Sequence, residues 1–150
     1  MSLPFYGNFN HSLDSKGRAI VPSSFREPLG ERFTICINYS FNGIALYPLE
    51  KWRELSAKFA KIPDTDEFGT DYKRLIIGNA FIDGMLDAQG RIMFPSTLRS
   101  KVGLEKNIRF VGLIDYAEVW DEETYNSHSD TSEGRSAALL AHVNEIFTHG

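Results

Sequence analysis

The sequence predicts an α+β fold, mainly β, built from two fused copies of one small unit that share a core. Two observations carry this. The first is an echo. Leu13-Asp14-Ser15-Lys16-Gly17-Arg18-Ala19-Ile20-Val21-Pro22-Ser23-Ser24-Phe25-Arg26 returns as Leu86-Asp87-Ala88-Gln89-Gly90-Arg91-Ile92-Met93-Phe94-Pro95-Ser96-Thr97-Leu98-Arg99, offset by 73 residues, with seven of 14 positions identical. Unrelated segments of ordinary composition would share about one. Downstream, Leu46-Tyr47 answers Val119-Trp120 and Trp52 answers Tyr125 at the same offset. The second observation is length. A chain of 150 residues divided in two leaves halves too small to bury an adequate core alone.

Each element follows from local pattern. Residues 1–4 precede the first copy as a short extension, and residues 5–13 read as a strand. Asp14–Arg18 is a hairpin turn, with Gly17 supplying a positive φ and Asp14 bonding its own backbone. Ala19–Val21 is the returning strand, ended by Pro22. A short helix then starts with Pro just inside and Ser as cap, and Pro28 and Gly30 stop it. Phe33–Ile37 and Ile44–Tyr47 are strands around an Asn42-Gly43 turn. Pro48-Leu49-Glu50 opens a helix whose apolar face is Leu49, Trp52, Leu55, Phe59 and Ile62. Pro63–Gly69 reads as a polar connector, and Asp71 as the cap of a helix from Tyr72 to about Gly78. The second copy then runs as strand Phe81–Leu86, turn Asp87–Arg91, strand Ile92–Phe94, helix Pro95–Val102 and closing strands Ile108–Leu113 and Ala117–Trp120. Asn126–Arg135 is rich in Ser, Asp, Thr and Gly and reads as a flexible linker. Ala137–Phe147 has the apolar content of a helix. The organisation is thus a first repeat with its helix (5–62), a connector and helix (63–79), a second repeat (80–125), and a linker with a C-terminal helix (126–150).

Composition narrows the function. Apolar content of 42% and charged content of 24% are ordinary for a globular chain. No stretch approaches a membrane span, and no signal peptide is visible. The single cysteine, Cys36, sits in the apolar run Phe33–Ile37 and forms no intrachain disulfide, which suits a reducing, intracellular compartment. A net charge of −4 argues against bulk binding of nucleic acid. The charge is uneven, however: residues 1–75 carry ten Lys/Arg against nine Asp/Glu, and residues 76–150 carry six against eleven. Any nucleic-acid contact must therefore be local.

The repeated Asp-x-x-Gly-Arg turn is the candidate site. One reading is a protruding tip that presents Arg18, Arg91 and Lys16 to a polyanion, since a guanidinium can hold phosphate, or guanine O6 and N7, bidentately. The other is a salt-bridged turn with no ligand. Arg26 and Arg99 repeat as well, each three residues beyond its Ser; pairing with the motif Asp residues is the favoured role, and phosphate contact the alternative. Nothing nominates catalysis. His11, His128, His142 and His149 form no metal-ligand spacing, and no nucleophile elbow, phosphate loop or dinucleotide fingerprint occurs. Asp14 and Asp87 stand beside arginines, which favours a permanently ionised state over acid–base work.

The sequence resembles the MraZ family of bacterial transcriptional regulators, built from two AbrB-type swapped-hairpin domains. The resemblance rests on Gly7 followed by Leu13–Arg18, Val21-Pro22 and Phe25-Arg26. It continues through Leu46-Tyr47-Pro48-Leu49-Glu50-Lys51-Trp52, then Leu86–Arg91 with Pro95 and Leu98-Arg99. Gly103-Leu104-Glu105-Lys106, Val111-Gly112 and Glu118-Val119-Trp120-Asp121 complete it. It covers about residues 5–125, and the tail beyond carries no signature. It implies a pseudo-twofold, double-psi or swapped-hairpin-like β-barrel with short peripheral helices. It further implies a ring-forming homo-oligomer, cytoplasmic and nucleoid-associated, without cofactor or small-molecule substrate. The family binds short G-containing direct repeats in double-stranded DNA, upstream of a division and cell-wall gene cluster that includes its own gene. The family's Asp-x-x-x-Arg contact motif falls on Asp14 with Arg18 and on Asp87 with Arg91. Its basic turn position is Lys16 in the first copy and Gln89 in the second. The competing function is a non-catalytic scaffold whose hairpins bind protein or RNA.

Overall fold

The computed structural model describes residues 4–149, so residues 1–3 of the leading extension lie outside the described residues. In chain order the first copy gives β1 (Asn8–Ser12), β2 (Arg18–Ile20), α1 (Ser23–Leu29), β3 (Phe33–Ile37), β4 (Ile44–Pro48) and α2 (Leu49–Ala60). Helix α3 (Glu67–Ile76) joins it to β5 (Phe81–Gly84), β6 (Arg91–Met93), α4 (Ser96–Val102), β7 (Asn107–Gly112) and β8 (Ala117–Asp121). Two helices close the chain, α5 (Glu122–Glu133) and α6 (Ser136–His149).

The strands form one antiparallel six-stranded sheet, ordered β1-β7-β8-β4-β3-β5, and a separate two-stranded ribbon, β2-β6. Exchanging the copies turns the sheet order into its own reverse. The register makes the axis explicit. Ala45 pairs with Glu118 between β4 and β8, and Ala19 pairs with Ile92 in the ribbon. Both pairs join residues one repeat offset apart, so a pseudo-twofold passes through each. The fold is α+β with antiparallel strands, as expected, and the sheet order leaves β1 and β5 as its ends.

The copies exchange strands, as the swapped-hairpin resemblance implies, although each turn read locally would close a hairpin within its own copy. β1 and β2 share a tight turn but do not pair with each other; β1 pairs with β7 and β2 with β6. Likewise β5 pairs with β3 and β6 with β2. Two further bonds lengthen the ribbon symmetrically. The Val21 N–H donates to the Gly90 carbonyl and the Phe94 N–H to the Gly17 carbonyl, each at 3.0 Å. A half on its own would leave these strands as unpaired edges. Alternate ribbon residues, Ala19 and Ile92, face one core with Val21, Phe25, Phe94, Leu98, Ile44, Val119 and Phe110. Phe25 lies edge-on to Phe5 and Phe9 with centroids 5.2 and 5.5 Å apart, the arrangement that aromatic quadrupoles prefer.

Three local expectations are corrected. The helix before the second copy starts earlier than Tyr72, and Asp66, not Asp71, caps it, accepting from the Gly69 N–H at 2.8 Å. A Cβ at Gly69 would strike Ile62, so the glycine that reads as a turn is there for close packing. Pro22 and Pro95 occupy the cap positions of α1 and α4, and no serine side chain caps either helix. The third concerns the tail. The stretch Asn126–Arg135 is helical as far as Glu133, not a flexible linker. Tertiary contacts outweigh its weak helix propensity. Arg109 on β7 donates to Glu122 and Asn126 and lies over the Tyr125 ring at 5.5 Å, while Trp120 packs on Tyr125 and His128. Helix α6 follows with Leu139, Leu140, Val143, Ile146 and Phe147 exposed.

The turn glycines are sterically fixed. Gly17 and Gly90 hold φ of +79° and +76°, and a Cβ on either would come within 2.5–2.6 Å of the Arg99 or Arg26 guanidinium carbon. Gly103 also has positive φ, +67°, but faces open space. Gly103→Ala is expected to cost about 1 kcal/mol of left-handed strain. Gly17→Ala and Gly90→Ala add the displacement of a packed arginine and should each cost roughly 2 kcal/mol or more. Urea unfolding of the three variants checks the order.

Candidate nucleic-acid interface

Each repeated turn is locked by its own aspartate. Asp14 Oδ1 accepts from the Lys16 and Arg18 backbone N–H groups at 2.9 Å, and Oδ2 accepts from Arg18 Nε at 2.8 Å. Asp87 repeats this with Gln89 and Arg91 N–H at 2.9 Å and Arg91 Nε at 2.7 Å. The mouth of each turn is closed by Asp14 N–H to the Arg18 carbonyl at 2.8 Å and Asp87 N–H to the Arg91 carbonyl at 3.0 Å. One carboxylate therefore orders the backbone with one oxygen and aims a guanidinium with the other. The Nε atom is consumed in both turns; both terminal nitrogens of Arg18 remain to meet a ligand, whereas Arg91 shares Nη2 with Gln89.

Electrostatics reinforces this. Both carboxyls are held below the ordinary value of 3.8, first by the backbone N–H of Arg18 or Arg91; desolvation opposes the shift, and the guanidinium bond and the second backbone N–H add to it. They stay ionised wherever the chain is folded near neutral pH.

The arginines divide into two kinds. Arg26 and Arg99 do not pair with Asp14 or Asp87. Arg26 Nε donates to the Val21 carbonyl at 3.1 Å, and Arg99 Nε to the Phe94 carbonyl at 3.0 Å. Their guanidinium groups lie against the turn glycine of the opposite copy, Arg26 over Gly90 and Arg99 over Gly17. They brace the turns from behind. Arg18 and Arg91, by contrast, stand on the outward face of the ribbon.

The two turns are not equivalent. Lys16 is exposed, and its side chain makes no hydrogen bond or ion pair among the described residues. Gln89, in the matching place, accepts from Arg91 Nη2 at 3.1 Å. Sequence reasoning passed over Ile20 and Met93, which share the outward ribbon face with Arg18 and Arg91; spacing of two along a strand was the available signal. Elsewhere, no group of three His, Cys, Asp or Glu among the described residues could hold a metal ion. Burial pushes the Cys36 thiol up to about 12. No described helix is long and apolar enough to cross a membrane.

The lowered carboxyl values set a sign for pH dependence. Asp14 and Asp87 contribute stability that is present above the unfolded value of 3.8 and lost as pH falls through the lower folded value. In that window the unfolded chain binds more protons. The double variant Asp14→Asn, Asp87→Asn is expected to be less stable than the parent at neutral pH, and the gap should narrow below pH 3.8. Unfolding free energies across the acid range measure this.

Comparison with known proteins places the chain. The family model for MraZ protein matches residues 5–75 and 83–143, so the match reaches into the tail that carried no signature by eye. A transcriptional regulator MraZ from Acetivibrio thermocellus is 40% identical over 137 residues, covering 91% of this chain and 94% of that protein. Proteins of the same name from Thermoanaerobacter sp. and Alkaliphilus metalliredigens are 31% and 38% identical, covering 93% and 85% of this chain and 96% and 88% of their own lengths. With both repeats matched and relatives aligned over nearly their whole length, the chain belongs to the MraZ family.

Proposed function

We propose that the chain is a sequence-specific DNA-binding transcriptional regulator. It binds short direct repeats upstream of its own division and cell-wall gene cluster, through the two Asp-x-x-Gly-Arg turns. It works as a ring-forming homo-oligomer on the nucleoid, in the cytoplasm, and carries out no catalysis. The observation that carries this reading is the pair of braced turns. Each ties an arginine back by Nε; Arg18 keeps both terminal nitrogens free of protein partners among the described residues, while Arg91 gives Nη2 to Gln89 and keeps Nη1. The relatives' name, transcriptional regulator, supports it. The direct repeats, the gene cluster and the ring rest on the family resemblance.

Charge argues for assembly. One protomer offers Lys16, Arg18 and Arg91 at the turns on a chain of net charge −4. So few phosphate contacts give weak, salt-sensitive binding. Linking several protomers to several repeats raises the effective concentration of each turn. Copies arranged head to tail present their turns in one orientation, which suits repeats in tandem.

Arg18→Ala is expected to lower affinity for a multi-repeat duplex from the upstream region by about tenfold or more, the scale of one lost bidentate contact. The fold should be unchanged, because Asp14 still bonds the Lys16 and residue-18 N–H groups. Binding is to be compared with a single-repeat duplex and a scrambled duplex at about 150 mM salt. Equal affinity for all three duplexes, or none, favours the scaffold function, with the hairpins binding protein or RNA.

A further inference from the structure

The outward face of the β2–β6 ribbon carries four side chains. Register places Arg18 opposite Met93 and Arg91 opposite Ile20, with Ala19 and Ile92 between them turned into the core. Ile20 and Met93 are 49% and 48% exposed. These apolar positions are the two ribbon ends related by the pseudo-twofold, so both copies place a large hydrocarbon side chain at the same site. Each stands directly across from an arginine whose Nε is tied back to Asp14 or Asp87.

Packing does not account for this. The side chains on the core-facing side of the ribbon are already buried, and a solvent-facing strand position is served better by Thr, Lys or Glu. Their recurrence at twofold-related positions, each across from a turn arginine, is what sets these two apart from other exposed apolar side chains. Resting on the DNA-binding role proposed above, we infer that Ile20 and Met93 read thymine methyl groups in the major groove. A two-stranded antiparallel ribbon fits that groove. An arginine reaches guanine O6 and N7, and the apolar side chain across the ladder meets the C5-methyl of a neighbouring thymine. Each arginine with its cross-strand partner is then one composite reader for a guanine beside a thymine.

The halves read with different stiffness. Ile20 is β-branched and serves Arg91, which Gln89 also holds at Nη2. Met93 is flexible and serves Arg18, whose turn carries Lys16. Ile20 is expected to tolerate displacement of the thymine less well than Met93.

The test replaces thymine by deoxyuridine, one position at a time, in the multi-repeat duplex, with the full chain. Removing a methyl that is buried in the complex should weaken binding about fourfold, the equivalent of one lost buried carbon group. Ile20→Ala and Met93→Ala should weaken binding to the thymine duplex, and each should abolish the deoxyuridine effect at its own position only. Wild-type binding that ignores deoxyuridine at every position, while Arg18→Ala still loses affinity, overturns the thymine role and leaves the regulator role standing. Loss of assembly in Ile20→Ala or Met93→Ala, read by light scattering without DNA, also overturns it and makes the face a contact between copies. No binding of the wild type to any duplex defeats the regulator role itself.

Discussion

Everything at the candidate interface depends on strand exchange between the two copies. Among the described residues β2 has β6 as its one ladder partner, and the ladder runs on at both ends into the opposite turn, through Val21 to Gly90 and Phe94 to Gly17. Each backbone bond contributes only about 1 kcal/mol net. Their geometric effect is larger. The turn of one copy is fixed by the strand of the other, so neither turn moves without the pair. Two arginine tips on separate hairpins would wander; here they share a ribbon whose underside is core.

The repeated arginines show why identity of residue is a poor guide to role. Arg26 and Arg99 recur as faithfully as Arg18 and Arg91, and the sequence invites pairing all of them with the motif aspartates. The aspartates are already engaged by their own turns, at three of about four acceptor sites. Oδ1 accepts from two backbone N–H groups and Oδ2 from the neighbouring Nε. Arg26 and Arg99 instead lay a flat guanidinium against a glycine of the other copy, a place where lysine would not substitute because the contact is planar. The same constraint explains the glycines: positive φ admits them, and the arginine lid excludes a Cβ.

The duplication was legible in the sequence because identity at a fixed offset needs no knowledge of folding. So were the turns, since Asp-x-x-Gly-Arg encodes its own bonds within five residues. The exchange is legible through the family resemblance but not from local pattern. A turn with a strand on each side reads as a closed hairpin, and nothing local says that β1 will pair with β7. The tail was misjudged for a related reason. Ser, Asp and Thr argue against a helix when weighed alone, but Arg109 on β7 and Trp120 at the end of β8 hold its first turns. The cap of α3 was misplaced by the choice of Asp71 over Asp66, where Gly69 looked like a helix breaker and is a packing site. The apolar ribbon face escaped notice because each residue in a three-residue strand gives too little alternation to see.

A perfect twofold would present the same surface to both strands of a duplex and suit a palindrome. This chain keeps the twofold in its ladders and breaks it in its tips. Lys16 in one copy corresponds to Gln89 in the other, and Ile20 to Met93. The charge divides the same way, with residues 1–75 slightly positive and residues 76–150 strongly negative. Fusion of the copies is what permits this, because two identical chains cannot differ at one tip. On the proposed DNA-binding role, a protomer with one more basic tip and one less basic tip would have a direction along a duplex. Protomers joined in the same sense would then favour repeats that point one way, so the broken symmetry supports the proposed preference for direct repeats over palindromes.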